Sequence, residues 1–228
     1  MTSTVRHRIP SECWSSDDDP AAQSFNGWDY VTNSIRTAAN CRIDCSNPFA
    51  NAFPGDHYRL LAGLIYNLAI HNDSLSLVDI GTHYGTSARV MLDFSPEKSQ
   101  VTTFDINAWE NYETTYLTEQ DFESGRLTQY LDDLKDDSCF AKHADLLMNA
   151  DFIMCDGPKD GIFERKVYKL LSTLKFPTKT RWLLLDDIRF PSEMGSWRLI
   201  SSPKIDLTSF GHFSGTGLVN ITEGLRLA

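Results

Sequence analysis

The sequence predicts a doubly wound α/β domain built on a mostly parallel, seven-stranded sheet that ends in an antiparallel C-terminal hairpin. Three observations predict it. Short apolar runs alternate with helix-period segments through residues 58–185, the pattern of stacked strand–helix units. Acids close most of those runs, at Asp79, Asp105, Asp156 and Asp186-Asp187. Two strand-like segments, Lys204–Phe210 and Gly215–Ile221, then follow without an intervening helix and are joined by GHFS.

Taken in order, residues 1–25 are dominated by Ser, Asp, Pro and charge, and are expected to form a mobile segment ahead of one domain spanning 26–228. A short helix is expected around Tyr30–Thr37. Pro54-Gly55-Asp56 marks a turn, and HYRLLAGLIYNLAIH carries apolar residues at helical spacing. Leu75–Ile80 is the first strand, an apolar run ending in Gly81. THYGTS is a tight turn and ARVMLDF begins a helix. The second strand is Gln100–Ile106, and the polar, aromatic stretch 108–124 is helix and loop. Leu127–Leu131 is the third strand, followed by a helix over Ser138–Met148. Asp151–Cys155 is the fourth, followed by Ile162–Leu174 as helix, and Arg181–Leu185 is the fifth.

Bulk properties narrow the function classes. At 228 residues one core can bury roughly 70–75% of the unfolded surface, so neither disulfides nor a structural metal is required. The five cysteines (Cys13, Cys41, Cys45, Cys139, Cys155) show no CxxC pair and are expected to be reduced thiols. A net charge of −10 with no basic stretch disfavours nucleic acid and anionic membranes as partners. No apolar run approaches the roughly 20 residues of a membrane span, and the start lacks the apolar centre of a signal peptide. A cytoplasmic location is the expectation.

In an open α/β sheet, ligands bind beyond the carboxyl ends of the strands, near the reversal in strand order. The acids above converge on that edge. The first strand runs into VDIGTHYGTS, where Gly81 and Gly85 let the backbone approach a ligand at a helix N-terminus. This is not GxGxxG, the dinucleotide fingerprint. Asp105 at the end of the second strand can accept hydrogen bonds from both hydroxyls of a ribose. Asp133 could reach an adenine amino group or simply be a solvated acid in DDLKDD. Candidate cofactor-binding residues are thus Asp79, Gly81, Thr82, Gly85, Ser87, Asp105 and Asp133, with Asp156 on the same edge.

The acid-x-Gly-x-x-x-Gly turn resembles motif I of the class I methyltransferases, in which acid and glycines hold the amino-acid end of S-adenosylmethionine. Within that Rossmann-like class, residues 54–190 resemble the catechol type of O-methyltransferase. PGDHYRLLAGLI is similar to the helix packed over the cofactor. GTHYGTS is similar to the glycine turn, with His83 where others carry a third glycine. DFIMCDGPKDG and LLLDDI are similar to the strand-four and strand-five motifs. The resemblance implies Asp156, Asp186 and Asp187 as Mg²⁺ ligands. It also implies Lys159 as the general base on an acceptor hydroxyl, with its pKa depressed toward neutrality by metal and burial. Asp187 stands where the catechol enzymes carry Asn. The implied acceptor is a small hydroxylated molecule, a phenol, sugar or other metabolite. A second copy of the chain is the one protein partner left open. A metal-independent methyltransferase and an NAD-dependent oxidoreductase are the competing readings. Asp160 reads as a turn or helix cap, His57 and His83 as packing residues, and His212 as a residue near an acceptor mouth. Met194 and Trp197 read either as acceptor wall or as loop packing.

Overall fold

The computed structural model describes residues 19–177 and 179–228, so the larger part of the segment expected to be mobile, 1–18, lies outside the described residues. Seven strands form one sheet: β1 (Ser76–Ile80), β2 (Gln100–Phe104), β3 (Leu127–Tyr130), β4 (Phe152–Cys155), β5 (Trp182–Asp186), β6 (Lys204–Asp206) and β7 (Thr216–Asn220). Their order is β3-β2-β1-β4-β5-β7-β6. The strands β1 to β5 pair in parallel, while β7 runs antiparallel to both β5 and β6. The expected fold is the one observed. The terminal strands are shorter than the apolar pattern suggests. Residues 207–215 form a long connection between them, tied by a bridge between Gly55 and His212.

Helices cover both faces, as a parallel sheet requires. One layer holds α1 (Pro20–Gln23), α2 (Trp28–Asn40), α3 (Tyr58–Ala69), α4 (Thr86–Phe94) and α5 (Glu119–Glu123). The other holds α6 (Asp137–Asn149), α7 (Phe163–Leu171) and α8 (Met194–Leu199). Strand alternation sends Leu77, Phe152, Met154, Trp182 and Leu184 into the first layer. Val78, Ile80, Ile153, Cys155, Leu183 and Leu185 go into the second.

The helix expected around Tyr30–Thr37 is longer, because α2 docks on α3 along its length. At Gly63 the two helices cross so closely that a Cβ would meet the Ser34 carbonyl oxygen at 2.2 Å. Tyr30 stacks on Trp182 of β5 with centroids 4.7 Å apart, and its hydroxyl donates to the Leu64 carbonyl at 2.8 Å. At the other end of the chain Lys204, fully buried, donates from Nζ to the carbonyls of Trp197 (2.8 Å) and Ile200 (2.7 Å) at the end of α8, and pairs with Asp19 at 3.0 Å. Trp197 is 3% exposed and packs against this ammonium, so it is a core residue and not an acceptor wall. Cys41, Cys45, Cys139 and Cys155 are free thiols, and among the described residues no helix is long and apolar enough to cross a membrane.

Candidate active site

The strand order reverses between β1 and β4, which opens a crevice at their carboxyl ends. Gly81, just past β1, has φ of 110°, and a Cβ on it would lie 2.1 Å from the Asp156 carbonyl oxygen. Only glycine lets this turn run against the end of β4. Gly85, immediately before α4, has φ of 77°, the left-handed cap of the same turn.

Beneath the turn lies a buried polar chain. Asp79, on the α3–α4 side of β1, accepts from Thr103 Oγ1 at 2.9 Å; Thr103 lies 2.7 Å from Thr82 Oγ1, which accepts from Gln129 Nε2 at 3.0 Å. Burial pushes the Asp79 carboxyl up to about 7, offset in part by the Ser87 and Thr103 hydroxyls. Asp79, Thr82 and Ser87 therefore brace the glycine turn from below; none of them lines the cavity above it.

That cavity, about 480 Å³, opens over the ends of β1, β2 and β4. Ile80, Phe104, Leu134 and Phe163 give it apolar walls, and Asp105, Asp132, Asp133 and Asp156 are its acids. Asp105 is held rigidly: Oδ2 accepts from the His83 amide at 2.9 Å and Oδ1 from the Asn107 amide at 3.0 Å. Each carboxylate oxygen keeps a lone pair for a ligand hydroxyl. His83 lines the same cavity with φ of 44°, a left-handed conformation uncommon outside glycine. Asp133 pairs with Lys135 at 3.0 Å on the rim. Asp160 accepts from the Ile162 and Phe163 amides at 2.8 Å each, and so caps α7 as the sequence suggests.

Asp156 lies on the wall of this cavity and also belongs to a second group of charges behind it. Lys159 Nζ stands 2.9 Å from Asp156 Oδ1, 3.5 Å from Glu164 Oε1 and 3.9 Å from Asp187 Oδ2. Burial alone would lower the Lys159 pKa, but the charge and hydrogen bond of Asp156, joined by Glu164, hold it well above the usual lysine value. The expected depression is reversed, and Lys159 is an ammonium in this arrangement. Behind it Glu164 meets Glu193, and burial pushes the Glu164 carboxyl up to about 7.

The expected triad Asp156, Asp186 and Asp187 does not close on one point. Asp186 is central, with His57 and Asp156 on one side and Asp187 and His212 on the other; within each set of three the ligating atoms lie within 4.8 Å of one another. The Lys159 ammonium contacts both Asp156, at 2.9 Å, and Asp187, at 3.9 Å. His57 Nδ1 is 3.3 Å from Asp186 Oδ1 and 3.3 Å from Asp56 Oδ1. His212 Nδ1 is 3.6 Å from Asp186 Oδ2 and 3.3 Å from Asp187 Oδ1. Burial lowers the His57 pKa, yet Asp186 and Asp56 overcome it and lift it to about 9. Hydrogen bonds that the His212 ring donates to Asp186 and Asp187 lift its pKa to about 10 despite burial. The two imidazoles hold the Asp186 carboxyl far below the usual carboxylate range, against the opposing effect of its burial. Asp187 has φ of 60° and also meets Ser214 Oγ.

Reading His57 as a packing residue missed this role. One signal was available. Strand alternation places Asp186, like Trp182 and Leu184, on the face covered by α3, and His57 immediately precedes that helix.

Strand order and ligand crevice together decide the architecture: six strands running one way, a single antiparallel β7 inserted between β5 and β6, and a cavity at the β1/β4 reversal. This is the class I methyltransferase fold. A Corynebacterium glutamicum protein solved by a structural genomics consortium shares it with a TM-score of 0.53 at 12% identity, over 86% of this chain and 97% of that one. The CurJ carbon methyltransferase superposes with a TM-score of 0.49 at 10% identity, over 72% of this chain and 54% of that one. A methyltransferase from Geobacter sulfurreducens gives 0.45 at 16% identity, over 73% and 78%. The chain thus spans about half the length of the CurJ chain. At these identities the likeness concerns the fold alone. No family profile and no curated protein matches the sequence. In this methyltransferase fold, Asp156 joins the switch-point cavity to the acid–imidazole cluster.

Proposed function

We propose that the chain is an S-adenosylmethionine-dependent methyltransferase that methylates a hydroxyl of a small molecule with the help of a divalent cation. One observation carries this reading: Asp156 is shared between a ligand-sized cavity and a buried cluster of metal-ligating side chains. A cofactor in the first and an acceptor at the second would be neighbours, as group transfer requires.

The residues fit both groups. The cavity is within the usual size range for a small-molecule site. Asp105 would take the ribose hydroxyls and Asp133 the adenine amino group, while Gly81 allows the backbone to approach. S-Adenosylmethionine supplies a methyl group activated by its sulfonium. At the cluster, Asp186 is 6% exposed, and His57 and His212 stand 3.3 and 3.6 Å from its two oxygens. A cation there would take the place of these ion pairs on the Asp186 carboxylate. A cation there would act as a Lewis acid on the acceptor hydroxyl, lowering its pKa and fixing its direction. Lys159, an ammonium while Asp156 holds it, would donate to the acceptor oxygen and stabilise its developing charge. It serves as a base only if that pair is broken.

The acceptor would enter between residues 53–57 and 207–215, which the Gly55–His212 bridge holds together. Phe53 and Phe210 stack there at 6.5 Å, and Phe213 is 82% exposed. This rim favours an aromatic or otherwise apolar body on the hydroxylated acceptor.

Thermal unfolding with S-adenosylhomocysteine, with and without divalent cation, tests the reading against NADH as control. A ligand at 100 times its dissociation constant should add roughly 2.7 kcal/mol. A midpoint raised by NADH and not by S-adenosylhomocysteine would favour the oxidoreductase and remove this proposal.

A further inference from the structure

We propose that Glu164 and Glu193 are positioning residues for Lys159: the two buried carboxyl groups share one proton, and the pair so formed locks the β4–α7 loop that presents the Lys159 ammonium to the acceptor. This rests on the reading of Lys159 as a donor to the acceptor oxygen and adds the residues that hold it there.

Residues 156–162 join β4 to α7, and residues 187–193 join β5 to α8. The second connection grips the first on both sides of Asp160. Ser192 Oγ donates to the Lys159 carbonyl at 2.9 Å, and the Gly161 amide donates to Glu193 Oε1 at 3.0 Å. Gly161 has φ of 73°, and a Cβ on it would lie 3.3 Å from the Ser192 carbonyl oxygen. Glu164, in the first turn of α7, places Oε1 3.5 Å from Lys159 Nζ. The loop backbone is thus held from residues 192–193 and the lysine side chain from Glu164.

Glu193 forgoes a local role to do this. It stands at the N-cap of α8, where an acidic side chain ordinarily bonds the first amides of its own helix. Glu193 makes no such bond and reaches to Gly161 instead.

Burial requires the shared proton. Glu164 is 1% exposed, Glu193 is 3% exposed, and their side chains meet. Each engages its Oε1 as above, and the Oε2 of each is buried without a hydrogen-bond donor. An ionised carboxylate only accepts, so two ionised groups here would repel each other and leave both oxygens unsatisfied. One proton between them turns that repulsion into a charge-assisted hydrogen bond. The other groups facing the pair do not remove the need. Cys155 of β4 and Tyr168 of α7 are kept protonated by their burial. Lys159 is shared with Asp156 at 2.9 Å and Asp187 at 3.9 Å.

The test uses the full chain with Glu193→Gln and Glu193→Ala. Glutamine keeps an oxygen for Gly161 and carries a permanent N–H donor toward Glu164, so it mimics the protonated member of the pair. Thermal unfolding from pH 5 to pH 8 reads the proton. Acylation of Lys159 by acetic anhydride, followed by mass spectrometry against the exposed Lys98, reads the loop. S-Adenosylhomocysteine affinity is measured in parallel. A proton bound by the folded pair stabilises the fold at low pH and is lost as pH rises, whereas the glutamine donor is not. The Glu193→Gln midpoint should therefore gain on wild type by on the order of 5 °C or more across this range. Lys159 acylation relative to Lys98 should rise roughly tenfold in Glu193→Ala, the worth of one such hydrogen bond, and stay near wild type in Glu193→Gln. Wild type and Glu193→Gln decide the matter even if Glu193→Ala fails to fold. Parallel pH curves for these two proteins would overturn the shared proton. Unchanged Lys159 acylation in folded Glu193→Ala would overturn the positioning role. Absence of S-adenosylhomocysteine binding alongside the expected pH and acylation results would overturn the methyltransferase reading and keep the carboxyl pair.

Discussion

The carbonyl oxygen of Asp156 fills the space that a side chain on Gly81 would need: a Cβ there would fall 2.1 Å away. The glycine turn after β1 and the end of β4 are therefore a single packed unit, and the cavity above depends on their contact. Gly81→Ala should lose about 3 kcal/mol or more, from left-handed strain and the clash together. Urea denaturation reads this directly. A midpoint equal to wild type would mean the turn can withdraw from β4 at no cost.

Asp105 meets the loop after β1 and the cavity at once, because its two oxygens accept from the His83 and Asn107 amides. Asp105→Ala should weaken S-adenosylhomocysteine binding by about 1.5–3 kcal/mol, roughly 10- to 150-fold, the worth of hydrogen bonds to a charged acceptor. Calorimetric titration measures it. Unchanged affinity would refute the ribose assignment.

Asp79 supplies a pH signature. Its carboxyl is raised to about 7 in the folded chain by burial, from about 3.9 when unfolded. The folded state thus binds this proton more tightly. Its contribution to stability is fully present below pH 4, and is lost as pH rises from about 4 to about 7. Asp79→Asn should remove that component, on the order of a few kcal/mol, so the variant should gain on wild type as pH increases across this window. Denaturation midpoints of both proteins from pH 4 to 8 provide the comparison. Parallel curves would show that Asp79 titrates normally.

Tyr30 ties the N-terminal helices to the sheet through its hydroxyl bond to the Leu64 carbonyl and its stacking on Trp182. Tyr30→Phe keeps the ring and removes the bond. It should cost about 1 kcal/mol of stability and leave S-adenosylhomocysteine affinity unchanged. A loss of ligand affinity in this variant would show that α2 shapes the cavity.

Strands and their order of appearance were readable because buried parallel strands are short apolar runs cut off by glycine or acid, as in LSLVDIG and DFIMCDG. Helix α8 was not, since its six residues lie between Pro191 and the hairpin and carry no usable period. The extent of α2 was also hidden, because docking against Gly63, not local propensity, sustains it.

By itself the sequence determined the α/β alternation, the glycine turn and the gathering of acids at one edge, all of which follow from periodicity and residue type. Tertiary structure alone decided the chemistry at that edge. Lys159 and Asp156 lie close in sequence, but the effect of Glu164 and Asp187 on that lysine depends on distances of a few ångströms in the folded chain. His57 and His212, far apart in sequence, both reach Asp186. Coulomb interaction and burial act through space, so the same residue types yield an acid, a base or a ligand according to what the fold sets beside them.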